Sequence, residues 1–354
     1  MSKFTTDIIN NISPYVPGEQ PKGKKFIKLN TNENPYFTCD DAVKSINEDI
    51  LKNLNRYSDP ESSVLVNAIA EYYEVDKSNV LVTNGSDESL AFAFFAYGKC
   101  GVCYPDVTYG FYDVIANLFG CPVEHVALKD DFTVDEADYY NCGKTVVLAN
   151  PNAQTGIELS KSAVERILQK NKDAIVIVDQ AYADFGQCNV IDLVKKYSNL
   201  IVVNTFSKSR SLAGARVGYT IADSALIDDL KKVKNSFHPY NVNSVSAALA
   251  TSAISAQSYF LQSVERIKST RKRLNEGLIK LNFNVLPSAA NFVMAESSII
   301  SGRELYEKLK ENGILVRHFN DKRISGFVRI TVGTDGETEA LLASIEKILK
   351  EKQL

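Results

Sequence analysis

Through the middle of the chain, short unbroken apolar runs alternate with segments whose apolar positions recur every three or four residues. The runs are "NVLVT" (79–83), "CGVCYP" (100–105), "VEHVAL" (123–128), "TVVLAN" (145–150), "AIVIVD" (174–179), "LIVVNTF" (200–206) and "VGYTIA" (217–222). Runs this short, rich in β-branched residues and without strict alternation, predict strands buried on both faces. The segments between them, such as "SKSAVERILQKN", have helical period. The expected architecture is therefore α/β, a large domain whose mostly parallel central sheet is covered by helices.

After residue 240 the pattern changes. A long helical segment, roughly 243–281, leads into "FNVLP", "NFVMAE", "GILVRHF" and "FVRITVG", interleaved with helices at 302–312 and 336–351. That mixture predicts a smaller α+β domain. The first 35 or so residues carry no long periodic run and are expected to pack on the small domain or on a partner subunit. The division read from these shifts is 36–245 for the large domain, and 1–35 with 246–354 for the small one. The sequence holds no repeat, low-complexity tract or disordered linker.

A chain of 354 residues, 45% of them hydrophobic, can bury cores of this size. Forty basic residues against 43 acidic ones leave a net charge of −3. Basic stretches are short ("KGKK", "RIKSTRKR"), which argues against a nucleic-acid partner. The six cysteines do not read as a disulfide framework in a chain this long with no secretory leader. Cys100 and Cys103 fall in one apparent strand, where odd spacing points them to opposite faces, whereas a redox pair belongs at a helix N-terminus. His125, His238 and His318 lack ligand spacing, so no metal is expected. "MSKFTTDIINN" has no signal-peptide core, and "LAFAFFAYG" is too short to span a bilayer. A soluble, cytoplasmic protein is the expectation.

Ligands of open parallel sheets bind outside the carboxyl ends of the strands. The unusual polar residues cluster there, strand after strand. Gly85, Ser86 and Asp87 follow "NVLVT", Tyr109 follows "CGVCYP", and Asn152 follows "TVVLAN". Asp179 ends "AIVIVD" with Tyr182 just beyond, and Ser207 and Lys208 end "LIVVNTF". A helix opening at Ser86 offers free N–H groups to a phosphate, and Ser207 and Arg216 can add a hydroxyl and a guanidinium fork. Asp179 on a buried strand needs a cationic partner, and Lys208 is a candidate Schiff-base amine. An anionic phosphate, a cationic nitrogen and an aldehyde on one rigid ligand describe pyridoxal phosphate. Taken singly, these residues read as a helix cap, a strand-end cap, a core tyrosine and a surface lysine; their common placement favours a site. Neither GxGxxG nor a P-loop is present.

These residues lie in motifs that resemble the fold-type I pyridoxal-phosphate aminotransferases, and most nearly the histidinol-phosphate aminotransferase group. The motifs are "KLNTNENPY", "NRYSDP", "TNGSDE", "PDVTYGFY", "NPNAQTG", "VDQAY", "TFSKSRSLAGARVG" and "GILVRHFN…GFVRITVGT", spanning nearly the whole chain. The resemblance implies transfer of an amino group between histidinol phosphate and 2-oxoglutarate, in histidine biosynthesis. It makes Lys208 the Schiff-base lysine and proton carrier, and Asp179 the partner of the pyridinium nitrogen. Tyr182 and Asn152 would meet the ring hydroxyl, and Tyr109 would stack on the ring. Ser86, Asp87, Ser207 and Arg216 would hold the cofactor phosphate, joined by Tyr57 from the other subunit of a homodimer. Arg317, Arg329 and Tyr15 would hold the substrate's anionic groups, with Asn152 nearby.

Two departures stand out. "NPNAQTG" has Gln154 where the family pattern has proline, so a trans Ala153–Gln154 bond is expected. Gln180 replaces the usual glutamate of "DEAY" beside Asp179. Three other functions stay open at this level: an aromatic amino-acid aminotransferase, a threonine-phosphate decarboxylase-like lyase, and a non-catalytic regulator on the same fold. Arg210 matches no ligand role and is expected to face solvent.

Overall fold

The computed structural model describes residues 2–5, 9, 12–21 and 25–353; parts of "MSKFTTDIINN" and of "KGKK" lie outside them. Strand β1 (Ile27–Lys28) precedes helices α1 (Asp40–Lys44), α2 (Glu48–Lys52) and α3 (Ser63–Tyr73). The expected alternation follows: β2 (Val80–Thr83), α4 (Ser86–Tyr97), β3 (Val102–Pro105), α5 (Phe111–Phe119), β4 (Val123–Val126), β5 (Thr145–Ala149) and α6 (Lys161–Lys170). Then come β6 (Val176–Asp179), β7 (Leu200–Thr205), β8 (Gly218–Ala222) and α7 (Ser224–Phe237). Each of the seven apolar runs contains one strand. "CGVCYP" forms its strand only from Val102, which leaves Cys100 exposed outside it, a correction to the opposite-face reading. Cys103 is buried, with its Sγ 3.5 Å from that of Cys142.

These strands form one sheet in the order β2-β8-β7-β6-β5-β3-β4. All run parallel except β8, which is antiparallel to both β7 and β2. The edge strand β4 departs from the expected burial, since its Glu124 and His125 are exposed; in the strands inside the sheet alternate residues serve different cores, which covers both faces. Val176 and Val178 of β6 pack with α3, α6 and residues 250–254, whereas Ile177 packs with α4, α5 and α7.

The C-terminal part comprises α8 (Ser244–Ser255), α9 (Gln257–Lys280), β9 (Phe283–Val285), β10 (Phe292–Ser297) and α10 (Gly302–Glu311). It continues with β11 (Ile314–Leu315), β12 (Arg317–His318), β13 (Phe327–Thr331) and α11 (Asp335–Gln353). An antiparallel sheet β12-β13-β10-β9 sets Arg317 directly opposite Arg329. The N-terminal segment packs on this part. Strand β1 pairs in parallel with β11, and the Thr331 N–H donates to Leu29 O at 3.0 Å.

The single helix expected over 243–281 is two helices, interrupted at Ala256, whose ψ of 58° leaves the helical region. Arg210 explains how the interruption is tolerated. It is not solvent-facing: the residue is 7% exposed, and its Nη1 donates to Ala253 O (2.9 Å) and Ile254 O (3.4 Å). The guanidinium carbon lies 3.5 Å from the Phe260 ring centroid and 5.0 Å from that of Tyr72. An exposed reading failed because local sequence cannot show that carbonyls at a distant helix end need a donor. No described helix is long and apolar enough to cross a membrane.

Arg210→Ala leaves those carbonyls unpaired and opens the space between two rings. It is expected to cost about 3 kcal/mol of unfolding free energy in urea titrations. A loss below about 0.5 kcal/mol, the usual range of a surface change, would show that the guanidinium is idle.

Candidate active site

The sheet brings the predicted residues to one edge. Strands β2, β3, β5, β6 and β7 all end there, and reversed β8 begins there, so Arg216 and Gly218 join them. Gly218 pairs with both Thr83 and Thr205 across the ladder. A Cβ on Gly218 would lie 2.5 Å from Gly85 C and from Ser86 N, so the backbone at the start of α4 passes within contact of β8. Gly85 has φ +79° and a Cβ there would meet Arg216 Nη2 at 2.5 Å. Arg216 itself is in the left-handed region at φ 54°. Its Nη2 donates to Asp87 Oδ2 at 3.1 Å. The Asp87 carboxylate is thereby turned to Arg216 and to Tyr109, whose hydroxyl donates to Oδ1 at 3.0 Å. Ser207, 6% exposed, is held by Thr205, whose Oγ1 donates to Ser207 Oγ at 3.0 Å and accepts from the Ser207 N–H at 3.1 Å.

Asp179 closes β6 with 5% of its surface exposed. The Tyr112 hydroxyl donates to its Oδ2 at 2.9 Å, and the Ala181 N–H to its Oδ1 at 3.1 Å. Burial lifts its pKa from 3.8 to about 6; the two hydrogen bonds and the Lys208 charge oppose that rise, and Asp87 adds to it. Tyr112 is fully buried and escaped the sequence reading. Its signal was the short spacing from Tyr109 in "TYGFY", which puts one phenol just before α5 and the other in its first turn.

Lys208 Nζ lies 3.4 Å from Thr31 O and 5.7 Å from the centroid of the Tyr182 ring. Tyr182 is 8% exposed, and its Oη accepts from Asn32 Nδ2 at 3.0 Å. Asn32, a second missed residue, sits at φ 53° and is further fixed by Thr331 and Asn291. Asn152 is 4% exposed. Its Oδ1 accepts from the N–H groups of Gln154 (2.9 Å) and Thr155 (3.1 Å), and its Nδ2 donates to Val107 O at 2.9 Å, leaving one amide hydrogen over. The peptide before Gln154 is trans, as expected; the cis bond among the described residues is Asn150–Pro151. Gln180 turns away from the edge, donating to Cys188 O and accepting from the Val190 N–H.

The anion-binding candidates line the other side. Arg329 Nη1 donates to Ala153 O (3.0 Å) and to Gln154 Oε1 (3.1 Å), while its Nε is buried without a partner. Arg317 donates to Val16 O at 3.2 Å and Pro17 O at 3.4 Å. Tyr15 sets its ring edge-on to Tyr109 (6.0 Å) and Phe111 (5.8 Å). Tyr57 is not brought to this group: it is 84% exposed and stacks on Tyr240 at 4.5 Å.

The raised pKa of Asp179 has a pH signature. The folded chain keeps a proton that the unfolded chain loses between 3.8 and about 6, so this contribution is full below pH 3.8 and gone above about 6. In ligand-free protein, Asp179→Asn is therefore expected to gain about 2–3 kcal/mol over the parent at pH 8 relative to the same comparison at pH 4. Urea unfolding at the two pH values checks this; an equal difference at both would contradict it.

The chain matches the aminotransferase class I and II family over residues 24–345. It is 46% identical to histidinol-phosphate aminotransferase 1 of Bordetella parapertussis, covering 98% of this chain and 99% of that one. It is 44% identical to histidinol-phosphate aminotransferase of Brachyspira hyodysenteriae, covering 99% and 100%. Its fold superposes with a TM-score of 0.90 on histidinol-phosphate aminotransferase from Sinorhizobium meliloti in complex with pyridoxal-5'-phosphate, at 22% identity and 99% coverage of both chains. The match across the whole length places the chain in the histidinol-phosphate aminotransferase family, within the class I and II aminotransferases.

Proposed function

We propose that this chain transfers the amino group of L-histidinol phosphate to 2-oxoglutarate with pyridoxal phosphate as cofactor. The observation that carries the reading is Asp179, a buried carboxylate with no ion pair among the described residues, on a sheet edge shared with Lys208. Burying such a group is costly unless a cation arrives to meet it. The residues fit the cofactor: Asp179 would take the protonated ring nitrogen, and Ser86, Asp87 N–H, Ser207 and Arg216 the phosphate. When bound, pyridoxal phosphate supplies an aldehyde that condenses with amines and a ring that withdraws electrons from the amino-bearing carbon.

Lys208 provides the amine that anchors the cofactor, and the same amine carries a proton to and from the substrate carbon once it is free. Asp179 keeps the ring nitrogen protonated, and Tyr112 holds that carboxylate in place. Tyr182, with Asn32 already donating to its Oη, has its own hydroxyl hydrogen for the cofactor's ring oxygen. Asn152 has one amide hydrogen left for the same oxygen. Tyr109 covers the ring, while Arg329, Arg317 and Tyr15 receive the phosphate of one substrate and the carboxylates of the other. In this reading residues 36–245 carry the cofactor, and 1–35 with 246–354 carry the substrate arginines. Exposed Tyr57 reaches the phosphate of a neighbouring subunit in a homodimer.

Purified protein loaded with the cofactor is expected to show its visible absorbance and to lose it in Lys208→Ala with the fold retained. It should turn over histidinol phosphate with 2-oxoglutarate far faster than phenylalanine with 2-oxoglutarate. The reverse preference would move the assignment to aromatic amino acids, and carbon dioxide release from threonine phosphate would move it to a lyase. For the shared site, Tyr57→Ala and Lys208→Ala subunits are each expected to be inactive and to regain about a quarter of the parental activity when mixed, because half the dimers are hybrids with one intact site. No recovery on mixing would place Tyr57 in its own subunit's site or outside the mechanism.

A further inference from the structure

We infer that Lys234 and Tyr240 are positioning residues for the cofactor site of the partner subunit, because together they hold the segment that presents Tyr57. The inference rests on the proposed reading of Tyr57 as a residue lent across a homodimer, and it names what keeps that residue in place.

Lys234 is a buried charged group that the mechanism leaves unused. On α7 it follows Ile227 and Leu230 along the buried face, and it is 1% exposed. Its Nζ donates to Pro60 O and lies 3.8 Å from Glu61 Oε1. Glu61 Oε2 is 3.6 Å from Lys231 Nζ, so a second lysine of α7 faces the same carboxylate. An ammonium is costly to bury, and an apolar side chain of similar volume could fill this face of the helix without loss of stability. What the ammonium adds is its hold on residues 60 and 61.

That hold is one of two on a short segment. The exposed ring of Tyr57 stacks on Tyr240, just beyond the end of α7, with centroids 4.5 Å apart and planes 17° from parallel. Only Ser58 and Asp59 separate Tyr57 from Pro60. Asp59 stiffens this stretch, its Oδ1 accepting from the Glu61 N–H at 3.0 Å and its Oδ2 from the Ser63 N–H at 2.7 Å, at the start of α3. The base of the second hold is fixed in turn. Asn241, next to Tyr240, donates from Nδ2 to Glu88 Oε2 at 2.5 Å, and the same oxygen accepts from the Asn84 N–H at 2.6 Å. Glu88 lies in the first turn of α4, whose start is read above as holding this subunit's own phosphate. The segment offered outward is thus tied to the same frame as the phosphate site that the subunit keeps.

The test is the cofactor affinity of Lys234→Met, measured by titrating cofactor-free protein with pyridoxal phosphate and following its visible absorbance, with the dimer checked by sedimentation. The expected result is a retained fold and dimer, a Kd raised about tenfold, and a kcat at saturating cofactor within about threefold of the parent. Exchanging subunits with Lys208→Ala locates the effect. In the hybrid, the one site that keeps its lysine takes Tyr57 from the subunit that keeps Lys234. At a cofactor concentration equal to the parental Kd, the exchanged mixture is therefore expected to show about three times the activity of the same proteins unexchanged. No gain would overturn the inference, because a defect in the fold or in the subunit's own site travels with that subunit. A parental Kd in Lys234→Met would overturn it as well. Tyr240→Ala, at an exposed position, is expected to follow the same pattern with a loss of about threefold, and it carries the comparison should the methionine variant not fold. Tyr57→Ala separates the two levels. If it loses cofactor affinity and complements Lys208→Ala while the Lys234 and Tyr240 variants do neither, only this inference falls. If Tyr57→Ala keeps the parental Kd or does not complement, the reading of Tyr57 falls and takes the inference with it.

Discussion

A carboxylate taken out of water at the end of a central strand is the constraint around which this edge of the sheet is arranged. β6 is flanked by β5 and β7, so the Asp179 backbone is committed on both sides and the residue cannot move away from its position. Its side chain then needs hydrogen bonds or a cation. It receives two hydrogen bonds, from Tyr112 and from the Ala181 amide, and its pKa still rises to about 6. Two neutral donors therefore do not balance the loss of solvation. A group left in that condition favours the arrival of a cation, and the neighbouring strand end supplies an amine, Lys208, where such a ligand could be fastened. The carboxylate and the lysine have their positions from adjacent parallel strands, which is why a few residues of backbone are enough to relate them.

The second pole depends on the one strand that runs the wrong way. Because β8 is antiparallel, its first residues arrive at the edge where its neighbours finish, bringing Arg216 beside the N-terminus of α4. Two glycines make the approach possible, since a methyl group on either Gly85 or Gly218 would sit 2.5 Å from a heavy atom. Backbone amides at a helix start together with a guanidinium form a site for an anion. Asp87 is already hydrogen-bonded to that guanidinium and to Tyr109, so its carboxylate oxygens are turned to those two donors.

What could be read from the sequence and what could not differ by the range of the interaction. Buried parallel strands declare themselves as unbroken apolar runs, and their polar ends follow by position, so the seven strands and the residues after them were legible. The residues that escaped are those whose partners are remote in sequence. Tyr112 bonds a carboxylate 67 residues away, and Asn32 bonds a phenol 150 residues away. Arg210 looked like a bystander because nothing within its own loop needs it; its carbonyl partners lie 43 and 44 residues on. Cys103 meets Cys142 rather than its near neighbour Cys100, for the same reason. The helix interruption at Ala256 was also hidden, since alanine, serine and glutamine do not mark a break and the compensating donor comes from elsewhere.

The two halves of the candidate site are joined through β13. Arg329 and Thr331 are two residues apart on that strand, so their side chains leave the same face. One goes to the loop of Ala153 and Gln154; the other accepts from the Asn32 N–H and donates to Asn32 Oδ1. Asn32 in turn donates to Tyr182, and Asn291 fixes its carbonyl. A displacement of β13 large enough to move the guanidinium would therefore also pull on the phenol beside Lys208. Rotation of Arg329 alone is restrained separately, by the rings of Phe292 and Phe319 and by Gln154. The distance between the guanidinium of Arg329 and the amine of Lys208 thus depends on backbone pairing and a three-residue hydrogen-bond chain, while the rotation of that guanidinium depends on a side chain outside that chain. Such a separation allows the residue at position 154 to vary without loosening the geometry at Lys208.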